Sequence, residues 1–414
     1  AIALKLDPSI IADLAAGLDG SIVVTGTNGK TTTNGLIADG LAAAGYDVVC
    51  NRAGNNMQTG IAAAMVSGRR GAAGKKGRFG AFECDELYTV RVLPQVKPRT
   101  LVLLNLFRDQ LDRYGEIDIT MKLLDRAMKM APKMKVIVNG DDALSAYLAM
   151  ESGNAYVTYG IPGQVFDQKE TGEIREGRFC KRCGERLSYD FYHYSQLGSY
   201  HCPKCGFARP EADFAAEAID MTHGLKFEVR EKQGRVTPIE VNYQGFYNIY
   251  NILAAYSAAR TGGLELAHFE KVLQEFNPQN GRMEHFTIGN TEVVLNLAKN
   301  PAGFNQNISA VMEDKKDKDI IIVINDNAQD GTDISWLWDV DFDRFADPSI
   351  RSITVSGIRC QDMRLRMKYV DIPCQLEADV ETAIKKRVAD GCGSLYVLVN
   401  YTALFSTRAI LAKM

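Results

Sequence analysis

The sequence predicts an α/β protein: a P-loop ATPase domain carrying an inserted four-cysteine zinc ribbon, followed by a second, Rossmann-like α/β domain. Three observations predict it. Apolar runs alternate with helix-like segments, and runs that are apolar throughout suit strands of a parallel sheet covered on both faces. One run, Ser21 to Thr25, enters the turn Thr25-Gly26-Thr27-Asn28-Gly29-Lys30-Thr31-Thr32-Thr33, which has the composition of a phosphate-binding loop. Between Gly177 and Pro210 the alternation is interrupted by two Cys-x-x-Cys-Gly pairs, one beginning at Cys180 and the other at Cys202.

A chain of 414 residues is too long for one ordinary core, so two or three domains are expected. The boundary is expected near Met283, giving domains 1–283 and 284–414. A formal net charge of −3 offers no electrostatic case for nucleic acid as a partner. No apolar run approaches the roughly 18 residues of a membrane span, and the first residues lack the charged-then-apolar pattern of a secretory signal. The expected location is cytoplasmic, peripheral to a membrane at most. Nine cysteines agree: four form a metal pattern, and Cys50, Cys84, Cys360, Cys374 and Cys392 are scattered as in a reducing compartment.

In chain order, a helix is expected over Pro8 to Leu18, then the strand and the phosphate loop, then a helix from Asn34 to Ala44 that Gly45 ends. Such a loop binds phosphate because its backbone N–H groups and the helix N-terminus point at the anion. Lys30 adds a positive charge, and the Thr31 hydroxyl can ligate Mg²⁺. Val24 stands where the full G-x-x-x-x-G-K-[ST] pattern has Gly, so this is a variant of it. The loop is expected to stand exposed at a strand end, so that replacing Lys30 would leave folding intact.

Strands follow at Tyr46 to Cys50 and Phe79 to Phe82. The second delivers Glu83, Asp85 and Glu86 at its C-terminal end, where open α/β sheets bind ligands. Carboxylates placed there suit a second Mg²⁺ ligand, Glu83 foremost; a solvated acidic turn is the competing reading, with more weight for Asp85 and Glu86. Thr100 to Asn105 and Val136 to Val138 are further strands, separated by a helix running to about Met130.

Cys180, Cys183, Cys202 and Cys205 read as a structural zinc site, each knuckle supplying two thiolates to one tetrahedral ion. Four protein ligands leave no position for water, so no catalysis is assigned to it. His193 and His201 are read as surface residues. Tyr189, Phe191, Tyr192, Tyr194 and Tyr200 are expected to pack the insertion's own small core.

After residue 284 strands are expected at Glu292 to Leu297, Asp319 to Ile324, Ser352 to Val355 and Ser394 to Val399. Helices are expected at Gln361 to Lys368 and Val380 to Ala389. Asn325 to Asp343 is unusual: it holds six aspartates and both tryptophans of the chain. Trp336 and Trp338 suit either a partner interface or the core beneath an acidic loop.

The phosphate loop, Glu83, the segment Asn105 to Gly115 and Asn139-Gly140-Asp141-Asp142 together resemble the ATP-dependent Mur ligases. Tyr247-Asn248-Ile249-Tyr250-Asn251 is similar to that family's H-N-x-x-N helix. The resemblance implies that Asn248 and Asn251 contact the adenine side of ATP. Gly281-Arg282-Met283-Glu284 resembles the segment that enters the family's C-terminal domain, and Arg282 is taken with the nucleotide contacts. The chain also departs from the pattern: Gln110 stands where His is usual, and Asn296 where a ribose-binding carboxylate is usual. The phosphate loop begins within about 25 residues of the first residue, so the usual UDP-sugar domain is expected to be absent, unless the chain, which begins with Ala, lacks an upstream segment.

The zinc insertion, Leu297-Ala298-Lys299-Asn300-Pro301 and Asn325 to Trp336 narrow the resemblance to the MurT family, the ligase-like subunits of lipid II isoglutaminyl synthases. That implies ATP-dependent amidation of the α-carboxylate of D-Glu in the lipid II stem peptide to D-isoglutamine, through an acyl phosphate, at the inner face of the cell membrane. It implies ATP, Mg²⁺ and structural Zn²⁺, and ammonia from a GatD-like class I glutaminase. It also implies that Asp333 lends a carboxylate to that partner's Cys-His pair.

The residues themselves agree that nitrogen comes from elsewhere. Cys392, the one cysteine flanked by glycines, precedes a strand rather than following one, unlike a nucleophile on a strand-to-helix turn. Two other readings stay open on the residues alone. One is a self-sufficient amino-acid ligase using Arg359 or Arg364 as carboxylate clamp; the other is a nucleotide-dependent scaffold.

Overall fold

The computed structural model describes residues 2–52, 54–68, 76–109, 116–166, 176–263, 267–276 and 283–414. The chain folds as two compact units, one covering most of residues 1–276, the other 277–414 together with Arg108 and Asp109.

In the first unit, strands β1 (Gly20–Thr25), β2 (Asp47–Cys50), β3 (Arg78–Glu83), β4 (Thr100–Leu103), β5 (Lys135–Asn139) and β6 (Tyr156–Gly160) precede the hairpin β7 (Ser188–Tyr194) and β8 (Leu197–His201). Then come β9 (Phe214–Asp220), β10 (Leu225–Glu231) and β11 (Val236–Val241). The main sheet has the order β11-β10-β9-β6-β5-β4-β1-β3-β2, and β7 and β8 pair separately. Neighbours from β2 to β9 are parallel, whereas β10 runs antiparallel to both β9 and β11.

The sheet is therefore mixed, where a parallel one was expected, and the reason lies in the side chains. Strands β1, β4 and β5 are buried almost throughout. Strand β10 instead alternates, with Leu225, Phe227 and Val229 inside and Lys226 and Arg230 outside. A strand with one wet face suits an antiparallel meander.

The helix after the phosphate loop spans Lys30–Ala43 and so begins four residues before the expected Asn34. Three β-branched threonines read as poor helix formers. Gly29, at φ +93°, turns the chain sharply enough that they form the first turn. Gly45, at φ +94°, ends the helix as expected. The helix expected over Pro8 to Leu18 is shorter, Ile10–Ala15. Helices Gln58–Gly68 and Thr89–Val96 were not anticipated. They cover the sheet through Ile61, Met65, Val92 and Leu93, in one apolar cluster with Val23, Phe82, Leu101 and Val136.

The second unit has β12 (Glu284–Ile288), β13 (Thr291–Leu297), β14 (Lys318–Val323), β15 (Ile350–Ser356), β16 (Gln375–Leu376) and β17 (Ser394–Val399) in the order β12-β13-β17-β14-β15-β16. All neighbours are parallel except the edge pair β12–β13. Strand β14 is buried along its whole length. Ile320 and Ile322 enter a core with Phe304, Trp336 and Met363, while Ile321 and Val323 enter another with Ile384 and Leu404. That is the two-residue period of a strand covered on both faces. No helix among the described residues is long and apolar enough to cross a membrane.

Candidate functional site

The phosphate loop lies between β1 and the helix Lys30–Ala43, clamped by the segment that follows β4. Thr27 N donates to Asn105 O (2.8 Å), and Asn28 N donates to Asn105 Oδ1 (2.9 Å). Asn105 Nδ2 donates back to Asn28 O (3.1 Å). Gly26 has φ +127°, and a Cβ there would lie 2.9 Å from the backbone N and O of Asn105. At Gly29 a Cβ would overlap Asn251 Oδ1. Both glycines are required by close approach as well as by conformation.

Lys30 is buried rather than exposed. Its Nζ donates to Gly26 O (2.5 Å) and Thr27 O (3.2 Å), and pairs with Glu86 at 3.2 Å. Thr31 Oγ1 donates to Glu83 Oε2 at 2.8 Å, so the two residues expected to share Mg²⁺ are adjacent. Both offer oxygen, the donor Mg²⁺ takes. The Glu83 backbone is held on both sides by Asn51, which accepts from Glu83 N (2.9 Å) and donates to Glu83 O (2.8 Å). The competing reading of a solvated acidic turn does not hold: Asp85 and Glu86 are as buried as Glu83. Asp85 accepts from Leu87 N, while Glu86 meets Lys30.

Asn248 and Asn251 lie on the helix Tyr247–Thr261 and are buried, with Asn251 Nδ2 donating to Asn248 Oδ1 at 3.1 Å. Asn251 closes against Gly29, so this pair adjoins the phosphate loop. Thr32 is buried in the first turn of the helix that follows the loop. Arg282, Gln110 and the remainder of the segment through Gly115 lie outside the described residues.

The sulfurs of Cys180, Cys183, Cys202 and Cys205 all lie within 4.8 Å of one another, with Cys180–Cys205 and Cys183–Cys202 at 3.5 Å. Four thiolates about 2.3 Å from a tetrahedral Zn²⁺ would be spaced similarly, so the donor set fits that ion. Burial opposes ionisation of Cys180 and Cys202; backbone N–H groups of Arg182 and Cys183, and of Cys205 and Lys204, favour it.

His193 is neither a ligand of this centre nor a surface residue. It is buried, with Nδ1 2.7 Å from Tyr250 Oη and Nε2 2.9 Å from Gly163 O, and burial holds its imidazole below the ordinary range. The insertion's aromatics are shared: Tyr189 stacks on Tyr192 (4.2 Å), whereas Tyr194 packs against Phe107, Phe246 and Tyr250 of the surrounding domain.

In the second unit the aspartates divide by environment. Asp330 is buried and accepts from Thr402 N (2.7 Å) and Thr402 Oγ1, at the start of the helix Tyr401–Leu411. Asp326 pairs with Arg359 at 2.6 Å. Asp333 is partly exposed and accepts from Ser335 N (2.8 Å) and Ser335 Oγ (3.0 Å). Trp336 is core, and Trp338 is exposed, packed edge-on against Tyr369. Cys392 is buried ahead of β17, and burial pushes its thiol up to about 11, which suits no nucleophile. Cys360 follows a strand but lies in the core with Met363 and Met367.

Sequence reasoning assigned no role to Asn51, Glu86, Asn105 or Gln196. Only the polar Asn105 ending an apolar strand offered a signal.

A mixed α/β sheet domain whose phosphate loop faces a Thr–Glu pair and a helix carrying two asparagines is the nucleotide domain of a Mur-type ATP-dependent ligase. The Mur ligase middle domain family matches residues 24–202, and the MurT ligase C-terminal family matches residues 297–404. The chain is 35% identical over 405 residues to the lipid II isoglutaminyl synthase (glutamine-hydrolyzing) subunit MurT of Staphylococcus aureus strain COL, covering 97% of this chain and 90% of that one. To the subunit of the same name from Streptococcus pneumoniae it is 32% identical over 419 residues, covering 100% and 91%. This chain belongs to the MurT family.

Among solved structures, a pseudomurein peptide ligase type C from Methanothermus fervidus superposes with a TM-score of 0.73 at 21% identity, covering 95% of this chain and 78% of that one. MurF from Acinetobacter baumannii superposes with a TM-score of 0.70 at 16% identity, covering 100% and 80%. Both share the fold.

Proposed function

We propose that this chain is the ligase subunit of a lipid II isoglutaminyl synthase, amidating the α-carboxylate of D-Glu in the stem peptide to D-isoglutamine. The observation that carries the reading is the Thr31–Glu83 pair at the phosphate loop, in a chain 35% identical to a MurT subunit over 97% of its length. Residues 1–283 form the nucleotide domain, with the cysteine insertion at about 177–210 as a zinc ribbon. Residues 284–414 form a Rossmann-like C-terminal domain.

A free carboxylate is a poor electrophile at neutral pH. ATP converts it to an acyl phosphate with release of ADP; ammonia then attacks the carbonyl carbon, and phosphate leaves. The backbone N–H groups of Gly26, Thr27, Asn28 and Gly29, with Thr32 in the first helical turn, bind the phosphates. Lys30 offsets charge on the transferring group, and Thr31 and Glu83 hold Mg²⁺. Asn248 and Asn251 contact the adenine side, and Arg282 is counted with the nucleotide contacts on the strength of the family resemblance alone. Cys180, Cys183, Cys202 and Cys205 hold a structural Zn²⁺.

Ammonia comes from a GatD-like class I glutaminase bound to this chain. Asp333, fixed by Ser335, lends that partner a carboxylate which orients the histidine of its Cys-His pair. The complex works at the inner face of the cell membrane, where its lipid-linked substrate is. The self-sufficient ligase is less favoured: of its two candidate clamps, Arg359 is already paired with Asp326 and Asp362, and although Arg364 stays exposed, the chain is 35% identical to a MurT subunit over 97% of its length.

The test supplies the purified chain with lipid II, Mg²⁺ATP and ammonium chloride, and detects the amidated product and ADP by mass spectrometry and a coupled assay. Amidation from ammonium by the chain alone, and from glutamine only after the glutaminase is added, is expected. Addition of a free amino acid instead of ammonia would refute the reading.

A further inference from the structure

The tip of the β7–β8 hairpin is buried: Tyr194, Ser195, Gln196 and Leu197 are all closed off from solvent. Hairpin tips ordinarily lie in water, because buried loop backbone must find partners. Ser195 is also a non-glycine residue at φ +49°. The Gln196 side chain is fully engaged. Its Nε2 donates to Leu106 O (2.8 Å) and Asp142 Oδ1 (2.6 Å), and its Oε1 accepts from Gly177 N (2.7 Å). Asp142 Oδ2 in turn accepts from Leu106 N (2.9 Å), so the pair grips Leu106 through both its N–H and its carbonyl.

Leu106 is the middle of the clamp on the phosphate loop. Asn105 before it holds Thr27 and Asn28. Phe107 after it donates from N to Thr27 Oγ1 (3.0 Å) and accepts from that hydroxyl at its carbonyl (3.2 Å). Residues 105–107 thus bond to the phosphate loop and to the hairpin tip. The same hairpin reaches the asparagine helix, where His193 meets Tyr250, a neighbour of Asn251 in sequence. At its open end Ser188 pairs with His201, next to Cys202, so the two strands run directly from the cysteine centre to the tip.

We propose that the cysteine hairpin is a positioning element for nucleotide binding. In it, Gln196 holds the Leu106 peptide and thereby the Thr27–Asn28 backbone, and a filled cysteine centre raises the affinity of the loop for nucleotide. The proposal rests on the reading of that loop as a nucleotide site. Gln196 touches no nucleotide and acts through Leu106. Linkage makes the effect reciprocal: nucleotide raises the affinity of the four cysteines for zinc by the same factor.

The experiment measures binding of a non-hydrolysable ATP analogue with Mg²⁺ to the full chain, zinc-loaded, against Gln196→Met, which keeps the volume and removes the hydrogen bonds. The dissociation constant should rise about tenfold, as leaving buried polar groups unpaired would do. KM for ATP should rise likewise, with kcat and zinc content unchanged. An unaltered dissociation constant, or a fall in kcat at constant KM, overturns the proposal. A wild-type chain that binds no analogue overturns the nucleotide reading and this proposal with it.

Should the variant fail to fold, amide hydrogen exchange on the wild-type chain before and after chelation decides. Asn28, Leu106 and Phe107 should lose protection along with β7 and β8. Their continued protection while the hairpin amides exchange would overturn the coupling.

Discussion

Lys30 sits in a closed cage of two loop carbonyls and the Glu86 carboxylate, which fixes its ammonium beside the turn but also commits it to the fold. Breaking a buried ion pair from one side leaves the other charge stranded, at a cost of about 3–5 kcal/mol. Lys30→Ala should therefore lower the melting temperature as well as amidation, the latter by at least about 10²-fold. Lys30→Met combined with Glu86→Gln should recover stability and leave amidation absent. Recovery of both in the double variant would remove Lys30 from the chemistry. Gly29→Ala makes a second residue-scale prediction: φ +93° strains any Cβ, and this one would press on Asn251. A loss of about 1–3 kcal/mol is expected in denaturant titration. A neutral result would mean that Asn251 yields.

At the scale of elements, Asp330 joins the loop after β14 to the helix Tyr401–Leu411 by taking the Thr402 N–H and hydroxyl. It does for that helix what an N-cap residue does, from a distant part of the chain. Asn400, at the cap position itself, makes no side-chain cap bond. Asp330→Ala should cost about 0.5–2 kcal/mol, the range measured for caps, and loosen the first turn in hydrogen exchange. An unchanged denaturation midpoint would show that water replaces the carboxylate. In the cysteine insertion, elemental analysis should find one zinc per chain. Cys183→Ser should lose it, because binding free energy in so small a unit is folding free energy. Zinc retained at full stoichiometry in that variant would place the ion elsewhere.

At the scale of the whole molecule, the proposed division of labour between two subunits gives Asp333 a testable role. Ser335 holds its carboxylate through an N–H and a hydroxyl while it stays partly exposed, as a group shared across an interface must be. Asp333→Asn should impair amidation driven by glutamine in the assembled complex and spare amidation driven by ammonium, since the phosphate loop is untouched. Equal loss with both nitrogen sources would place Asp333 in the ligase chemistry or in folding.

Sequence alone determined what rests on local geometry and on patterns short in the chain. Gly26, Gly29 and Lys30 at fixed spacing mean a phosphate loop because backbone N–H groups must converge on an anion. Two Cys-x-x-Cys-Gly knuckles mean four converging sulfurs because each turn presents two, a donor set that could hold a metal ion. Uniformly apolar runs mean buried strands. Tertiary structure alone decided what depends on partners far off in the chain. Glu83, Asp85 and Glu86 look alike in sequence; only packing placed the first against Thr31 and the last against Lys30. His193 reads as an ordinary surface histidine until Tyr250 is seen beside it. Gln196 carries no local signal, because its partners Leu106 and Asp142 are brought to it only by the sheet. A buried polar group must be satisfied wherever its partner lies, and sequence spacing does not record where that is.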